Sequence, residues 1–76
     1  MNKARRAKLN RIIEALETLQ EDLAVITEEE ENYRDNIPEN MTSSTRYEKA
    51  ETACDALNDA MDAILDAVSS IEAAAE

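Results

Sequence analysis

Apolar residues in the first half of the chain step by three and four: Leu9, Ile12, Leu16, Leu19, Leu23 and Ile26, then Glu30, Tyr33 and Ile37. This spacing predicts a helix with one apolar seam. Leu9, Leu16, Leu23, Glu30 and Ile37 take heptad position a, and Ile12, Leu19, Ile26 and Tyr33 take position d. Glu30 interrupts the seam inside the acidic run from Glu28 to Glu31, so packing loosens there or the carboxylate meets an arginine. The second half repeats the pattern with Tyr47, Ala50, Cys54, Leu57, Met61, Ile64, Val68, Ile71 and Ala75. Beside that seam runs a stripe of small residues, Ala53, Ala56, Ala60, Ala63, Ala67, Ser70 and Ala74. With Leu65 added, the apolar face is wider than one partner helix covers.

The segment between the two patterns holds Pro38, the one proline. It lacks an N–H and clashes with the preceding turn, so it bars a continuous helix. Thr45 with Glu48 three residues on reads as a capping box, with Ser43 and Ser44 as rival caps. The prediction is one all-α domain over residues 1–76: a helix over about 3–35, a turn over about 36–44 and a helix over about 45–75. At about 1.5 Å per residue both helices are roughly 45–50 Å long. Matched lengths and a short connection predict an antiparallel hairpin. Tyr33 and Tyr47 are expected to pack together at its turn end.

Composition explains why the hairpin alone looks insufficient. Hydrophobic residues are 43% of the chain, but 13 of them are alanine, and there is no Phe or Trp. Chains this short usually lean on a disulfide, a metal or a second chain. One cysteine makes no internal disulfide, and the absence of His removes the ordinary zinc sites. Self-association is the remaining aid. A homodimer is expected, two hairpins forming a four-helix bundle through Ala53, Ala56, Ala60, Ala63, Leu65 and Ala67.

The net charge of −10 is unevenly distributed. Residues 1–11 carry Lys3, Arg5, Arg6, Lys8 and Arg11 and no acid. Residues 12–76 carry three bases against 18 acids, or −15. The body of the protein is therefore expected to repel nucleic acid and attract basic surfaces. The basic start either touches nucleic acid or an acidic partner surface, or lies beside Glu72 and Glu76 at the C-terminal end of helix two, where cations complement the helix dipole.

Two rows of acids stand out: Glu14, Glu17, Glu21, Glu28, Glu31 and Asp35 on helix one, and Glu48, Asp55, Asp59, Asp62 and Asp66 on helix two. Same-face residues three or four apart lie roughly 5–6 Å from each other. Phosphates along a DNA strand repeat on a similar scale, so such rows can imitate a strand. The plainer account is that a coiled coil needs a charged exterior. Lysines would have solubilised it as well, however, and like charges on one face repel.

Catalysis finds little support, since His, a Gly-rich loop and the Glu-x-x-His pairs of carboxylate metal sites are all missing. No enzyme activity, metal or cofactor is expected. Cys54 reads as a small buried hydrophobe; an intersubunit disulfide would require it to lie on a two-fold axis. The basic start lacks the apolar core of a secretory signal, and no apolar run approaches the roughly 20 residues of a membrane span. A lone cysteine fits a cytoplasm.

The turn Tyr33-Arg-Asp-Asn-Ile-Pro-Glu-Asn-Met, with Ser44-Thr-Arg-Tyr-Glu and Leu57-Asn-Asp-Ala-Met-Asp-Ala-Ile, resembles short acidic coiled-coil proteins encoded by phages and prophages of Gram-positive bacteria. They share a basic start, an acidic coiled coil, an Asp-Asn-x-Pro-Glu-Asn turn and an Ala/Asp-rich second helix. The specific part of the likeness is short, at Asp35 to Asn40. It implies a mobile-element origin and a bacterial host cytoplasm. Small acidic phage proteins are often inhibitors of host defence, anti-CRISPR proteins among them. By that analogy the expected partner, besides the chain itself, is a basic, DNA-handling host protein. The alternative is a self-associating assembly module without inhibitory action.

Overall fold

The computed structural model describes residues 1–41 and 44–76. Helix α1 spans Lys3–Asp35 and helix α2 spans Thr45–Ala74, with one 3-10 turn, Glu39–Met41, between them. The two helices pack against each other as a hairpin. The molecule is rod-like, with extents of 59 × 15 × 12 Å and a radius of gyration of 17.3 Å. A compact domain of this length has a radius of about 11 Å, so among the described residues no second layer covers the pair.

Each helix starts on a side-chain cap. Asn2 is extended, and its Oδ1 accepts from the Arg5 N–H at 2.8 Å. At α2 the cap is Ser44, whose Oγ accepts from the Tyr47 N–H at 3.2 Å. Ser44 therefore wins over Thr45, which is the first helical residue. Ser43, the other rival, lies outside the described residues. α1 closes on Asn36, whose N–H reaches the carbonyls of Arg34 and Asn32.

The core is one seam between the helices. Its buried members are Thr27, Ile37, Ala50, Cys54 and Val68. The α2 side follows its apolar pattern: Tyr47, Leu57, Met61, Ile64, Ile71 and Ala75 are all at least half-buried around those residues. The α1 side departs from expectation. Position a faces inward, as Leu9, Leu16 and Leu23 show. The second inward column is Ile13, Gln20, Thr27 and Arg34, one residue on from the expected position d. The expected column points out: Ile12 is 48% exposed, Leu19 54%, Ile26 51% and Tyr33 44%.

Thr27 and Arg34 can occupy that inner column because both have somewhere to put their polar atoms. The Thr27 hydroxyl donates to the Leu23 carbonyl at 2.7 Å, so its burial strands no group. Arg34 lies at the turn end, where its guanidinium reaches solvent and pairs with Asp35 at 3.0 Å. Among the described residues that is the ion pair present, and Glu30, half-buried at position a, has none. Tyr33 lies on the outer stripe while Tyr47 is half-buried, and the buried hydrophobic side chain at the turn is Ile37. The expected pairing of the two tyrosines is thus not what seals this end.

This burial pattern separates two leucines that are equivalent by heptad counting. Leu57→Ala should cost about 2–3 kcal/mol, since it empties a position inside the seam. Leu19→Ala should cost less than about 0.5 kcal/mol in the hairpin, where that side chain already faces water. Urea melts followed by circular dichroism at sub-micromolar protein give both numbers; equal losses would contradict the inward column.

Candidate protein-binding surfaces

The placement of the acids follows from the direction each helix turns into the seam. At 3.6 residues per turn, successive residues advance about 100° around the axis. On α1 the seam is centred between positions a and e. The stripe Ile12, Leu19, Ile26 and Tyr33 then lies about 80° to one side, and the acids Glu14, Glu17, Glu21, Glu28, Glu31 and Asp35 lie about 80–120° to the other. On α2 the column Ala53, Ala60 and Ala67 lies about 90° to one side of the seam, with Ala56 and Ala63 further round. The row Glu48, Asp55, Asp59, Asp62 and Asp66 lies about 130–170° to the other.

Because the helices run in opposite directions, columns that precede the seam on each helix meet on the same side of the pair. The hairpin therefore has two unlike broad faces. One carries the exposed apolar stripe of α1 beside the alanine stripe of α2. The other carries both acidic rows, with the α2 row turned further to the outer edge. Ten of the eleven acids are exposed and Glu31 is half-buried. Of the expected oligomer residues, Ala56, Ala63, Leu65 and Ala67 are exposed, and Ala53 and Ala60 half-buried. Leu65 is 49% exposed but sits across the seam from the alanines, about 70° to the acidic side. It belongs to the other broad face.

Sequence reasoning missed the α1 stripe as a surface because it assigned those residues to the core. A signal was present: α1 has apolar residues at a and d, with Ile13 at e and Ala15 at g, more than one helix can cover. The widest apolar sector was expected on α2, whereas the large exposed side chains lie mainly on α1.

The interior offers little chemistry. Cys54, 1% exposed, is a free thiol, and the side-chain amide of Asn58 donates to its carbonyl at 3.0 Å. Burial pushes the Cys54 thiol above its ordinary range; Arg34 pulls it down and the nearby Glu31, Glu30 and Asp55 push it up. Among the described residues no group of three or more His, Cys, Asp or Glu is placed to hold a metal ion, and no buried polar side-chain atom lacks a partner. Nor is any helix among them long and apolar enough to cross a membrane. An open depression of about 390 Å³ lies at the start of α2, lined by Thr45, Glu48, Lys49 and Thr52. It has no buried functional group. No family model, curated protein or solved structure matches the chain.

Cys54 should therefore be slow to alkylate. A thiol-reactive dye at pH 8 should label the native protein at least about tenfold more slowly than the urea-unfolded chain, where the thiol returns to a pKa of about 8.5. The raised native value also fixes a sign. Stability is fully present below the unfolded pKa and falls as pH rises past it, because ionisation favours the unfolded chain. Equal labelling rates with and without urea would place the thiol at the surface.

Proposed function

We propose that the chain is a non-enzymatic, phage-type protein-binding module that inhibits a basic, DNA-handling defence protein in the cytoplasm of a bacterial host. The acidic broad face makes the contact, by mimicking DNA or by blocking the surface. The observation that carries this reading is the gathering of eleven carboxylates on one side of the hairpin, ten of them exposed. A solubilising exterior needs no such segregation. Acids of one sign on one face repel, and that cost is recovered when the face meets a cationic groove. The resemblance to acidic phage proteins points the same way, by analogy. Direct binding of nucleic acid is disfavoured, because phosphate contact needs many cations and only five cluster at residues 1–11.

A second reading is favoured by a different observation, the exposed stripe Ile12, Leu19, Ile26 and Tyr33. It makes the chain a self-associating helical module, two hairpins forming a four-helix bundle through the apolar broad face. The two readings use opposite faces, so they can be tested separately.

For the first, Asp55, Asp59, Asp62 and Asp66 are replaced together by Asn, which keeps shape while removing four charges. A host protein captured by the native chain should be displaced by duplex DNA and by salt, since screening acts over about 8–10 Å at physiological ionic strength. The quadruple variant should bind it at least about tenfold more weakly. Affinity unchanged by both the substitution and salt would eliminate the mimic. For the second, Ala60→Glu should shift the light-scattering mass at micromolar concentration from dimer to monomer, because it sets a charge in a close-packed face. A native chain that is already monomeric there removes this reading.

A further inference from the structure

We propose that the apolar broad face seats a second copy of the chain with like ends together, the α1 stripe of each copy packing into the alanine columns of the other copy's α2. The inference rests on the self-association reading above and adds the surfaces that meet and their register.

The register within one hairpin comes first. Arg34 lies near both Tyr47 and Cys54, and Cys54 lies near Glu30 and Glu31. Arg34 is therefore level with Ala50, and Glu30 with Cys54. Carried along two antiparallel helices of equal rise, this sets Ile37 level with Tyr47 and Leu9 level with Ala75. Those four are the outermost inward residues at the two ends of the seam, so the register closes at both.

Ile12, Leu19, Ile26 and Tyr33 recur every seven residues on α1, and each is 44–54% exposed. By the same register Ile12 is level with the midpoint of Ser70 and Ala74, Leu19 with that of Ala63 and Ala67, and Ile26 with that of Ala56 and Ala60. Tyr33 is level with the midpoint of Lys49 and Ala53. Small residues four apart on one helix leave a hollow, and a large side chain from a facing helix fills it. Within one hairpin these columns lie side by side on the same face and do not meet. A two-fold axis along the rod makes them meet, because it keeps every level unchanged and sets α1 over the other copy's α2.

With the axis across the rod, each helix would lie over its own copy. Large residues would then meet large ones along α1, and alanine would face alanine along α2. The bulk on α1 would hold the layers apart and leave the alanines across a gap that their methyl groups do not fill. Charge does not oppose the arrangement with like ends together. The cations in the columns of this face are Arg5 and Lys8 on α1 and Arg46 and Lys49 on α2, at opposite ends of the rod. Arg5 and Lys8 then lie at the C-terminal turn of the other copy's α2, and Arg46 and Lys49 at the C-terminal turn of its α1. Cations complement the negative end of a helix dipole, and none of these four stands directly over another. Lys49 also comes level with the Tyr33 ring, where an ammonium group and an aromatic face attract.

The stripe from Ile12 to Tyr33 is about 32 Å long at about 1.5 Å per residue. Over the 15 Å breadth of the hairpin it covers roughly 480 Å² on each copy, near the lower bound of about 1,000 Å² in all for a specific interface. The dimer is accordingly expected to be reversible on dilution.

Cysteine cross-linking in a Cys54→Ala background, full-length chain, tests the orientation. Leu19→Cys and Ala67→Cys chains, mixed, should form a disulfide-linked heterodimer at least about tenfold faster than a Leu19→Cys and Ile26→Cys mixture. Equal rates or the reverse preference overturn the proposal, and self-association itself still stands if the native mass is that of a dimer. A size exchange makes the same test without cysteine. Leu19→Ala should weaken dimerisation at least about tenfold, and adding Ala67→Leu to the same chain should bring it back to within about threefold of native, because the new leucine faces the new alanine across the axis. A double variant that keeps its helical circular dichroism and shows no recovery overturns the size matching. If the native chain is a monomer at micromolar concentration, this proposal and the self-association reading both fail. The quadruple Asp→Asn variant should keep the dimer mass, so loss of target binding there is a separate result.

Discussion

Two helices joined by a short turn share a single line of contact, and every other feature of this protein is arranged around how little that line can bury. Thr27, Ile37, Ala50, Cys54 and Val68 are the buried residues of a rod 59 Å long. Beyond them the seam is half-open to water. Small domains reach stability by covering more of their apolar surface than this, and α1 carries further apolar surface on a column left about half exposed. Each helix of the hairpin has one neighbour where bundle helices have two.

The chain also sorts its charge twice. Around the rod, acids gather on one broad face and alanines with the α1 stripe on the other. Along the rod, cations gather at the free end and acids dominate the middle and the turn. The first segregation follows from amphipathic helices that share a side. The second does not follow from folding, because one intrachain ion pair, Arg34 with Asp35, is formed among the described residues. Lys3, Arg5, Arg6, Lys8 and Arg11 are all exposed. Their charge is therefore free to act on whatever approaches, and it acts with a sign opposite to that of the rest of the surface.

Much of this architecture was legible, for identifiable reasons. Pro38 marks the break, since no helix passes it without losing a hydrogen bond. The α2 seam was readable because its inward residues are also its most apolar column. α1 was misread on the same rule. Ile12, Leu19, Ile26 and Tyr33 form a more hydrophobic column than Ile13, Gln20, Thr27 and Arg34, yet the latter faces α2. Periodicity reports that a column is apolar and carries no label for which chain covers it. The inner column is tolerated because Thr27 bonds back to Leu23 and Arg34 reaches out at the turn, neither of which a hydrophobicity pattern contains. The cap shows the same limit on a smaller scale: Ser44 and Thr45 are chemically equivalent candidates, and backbone geometry chose Ser44. The acidic rows could be found from spacing alone. That both rows share a face depends on the rotation of each helix about its axis, which only packing sets.

The opposed faces bear on how the two functional readings relate. Were the acids interleaved with the apolar stripe, a charged target and a second copy would compete for the same surface, and occupancy of one would exclude the other. Here α1 turns its stripe about 80° to one side of the seam and its acids about 80–120° to the other, so an occupant of either face leaves the other open. Were two copies to pair through the apolar faces, as proposed, two acidic faces would stand back to back, each backed by a four-helix layer. The mutual repulsion of the carboxylates on a face is then resisted by the core of a bundle instead of by one thin seam. A rigid row of charges loses less conformational entropy on meeting a groove than a row on a fraying hairpin. On the proposed self-association, such pairing would stiffen the acidic surface proposed as the binding element, with the apolar stripe on α1 as its seat.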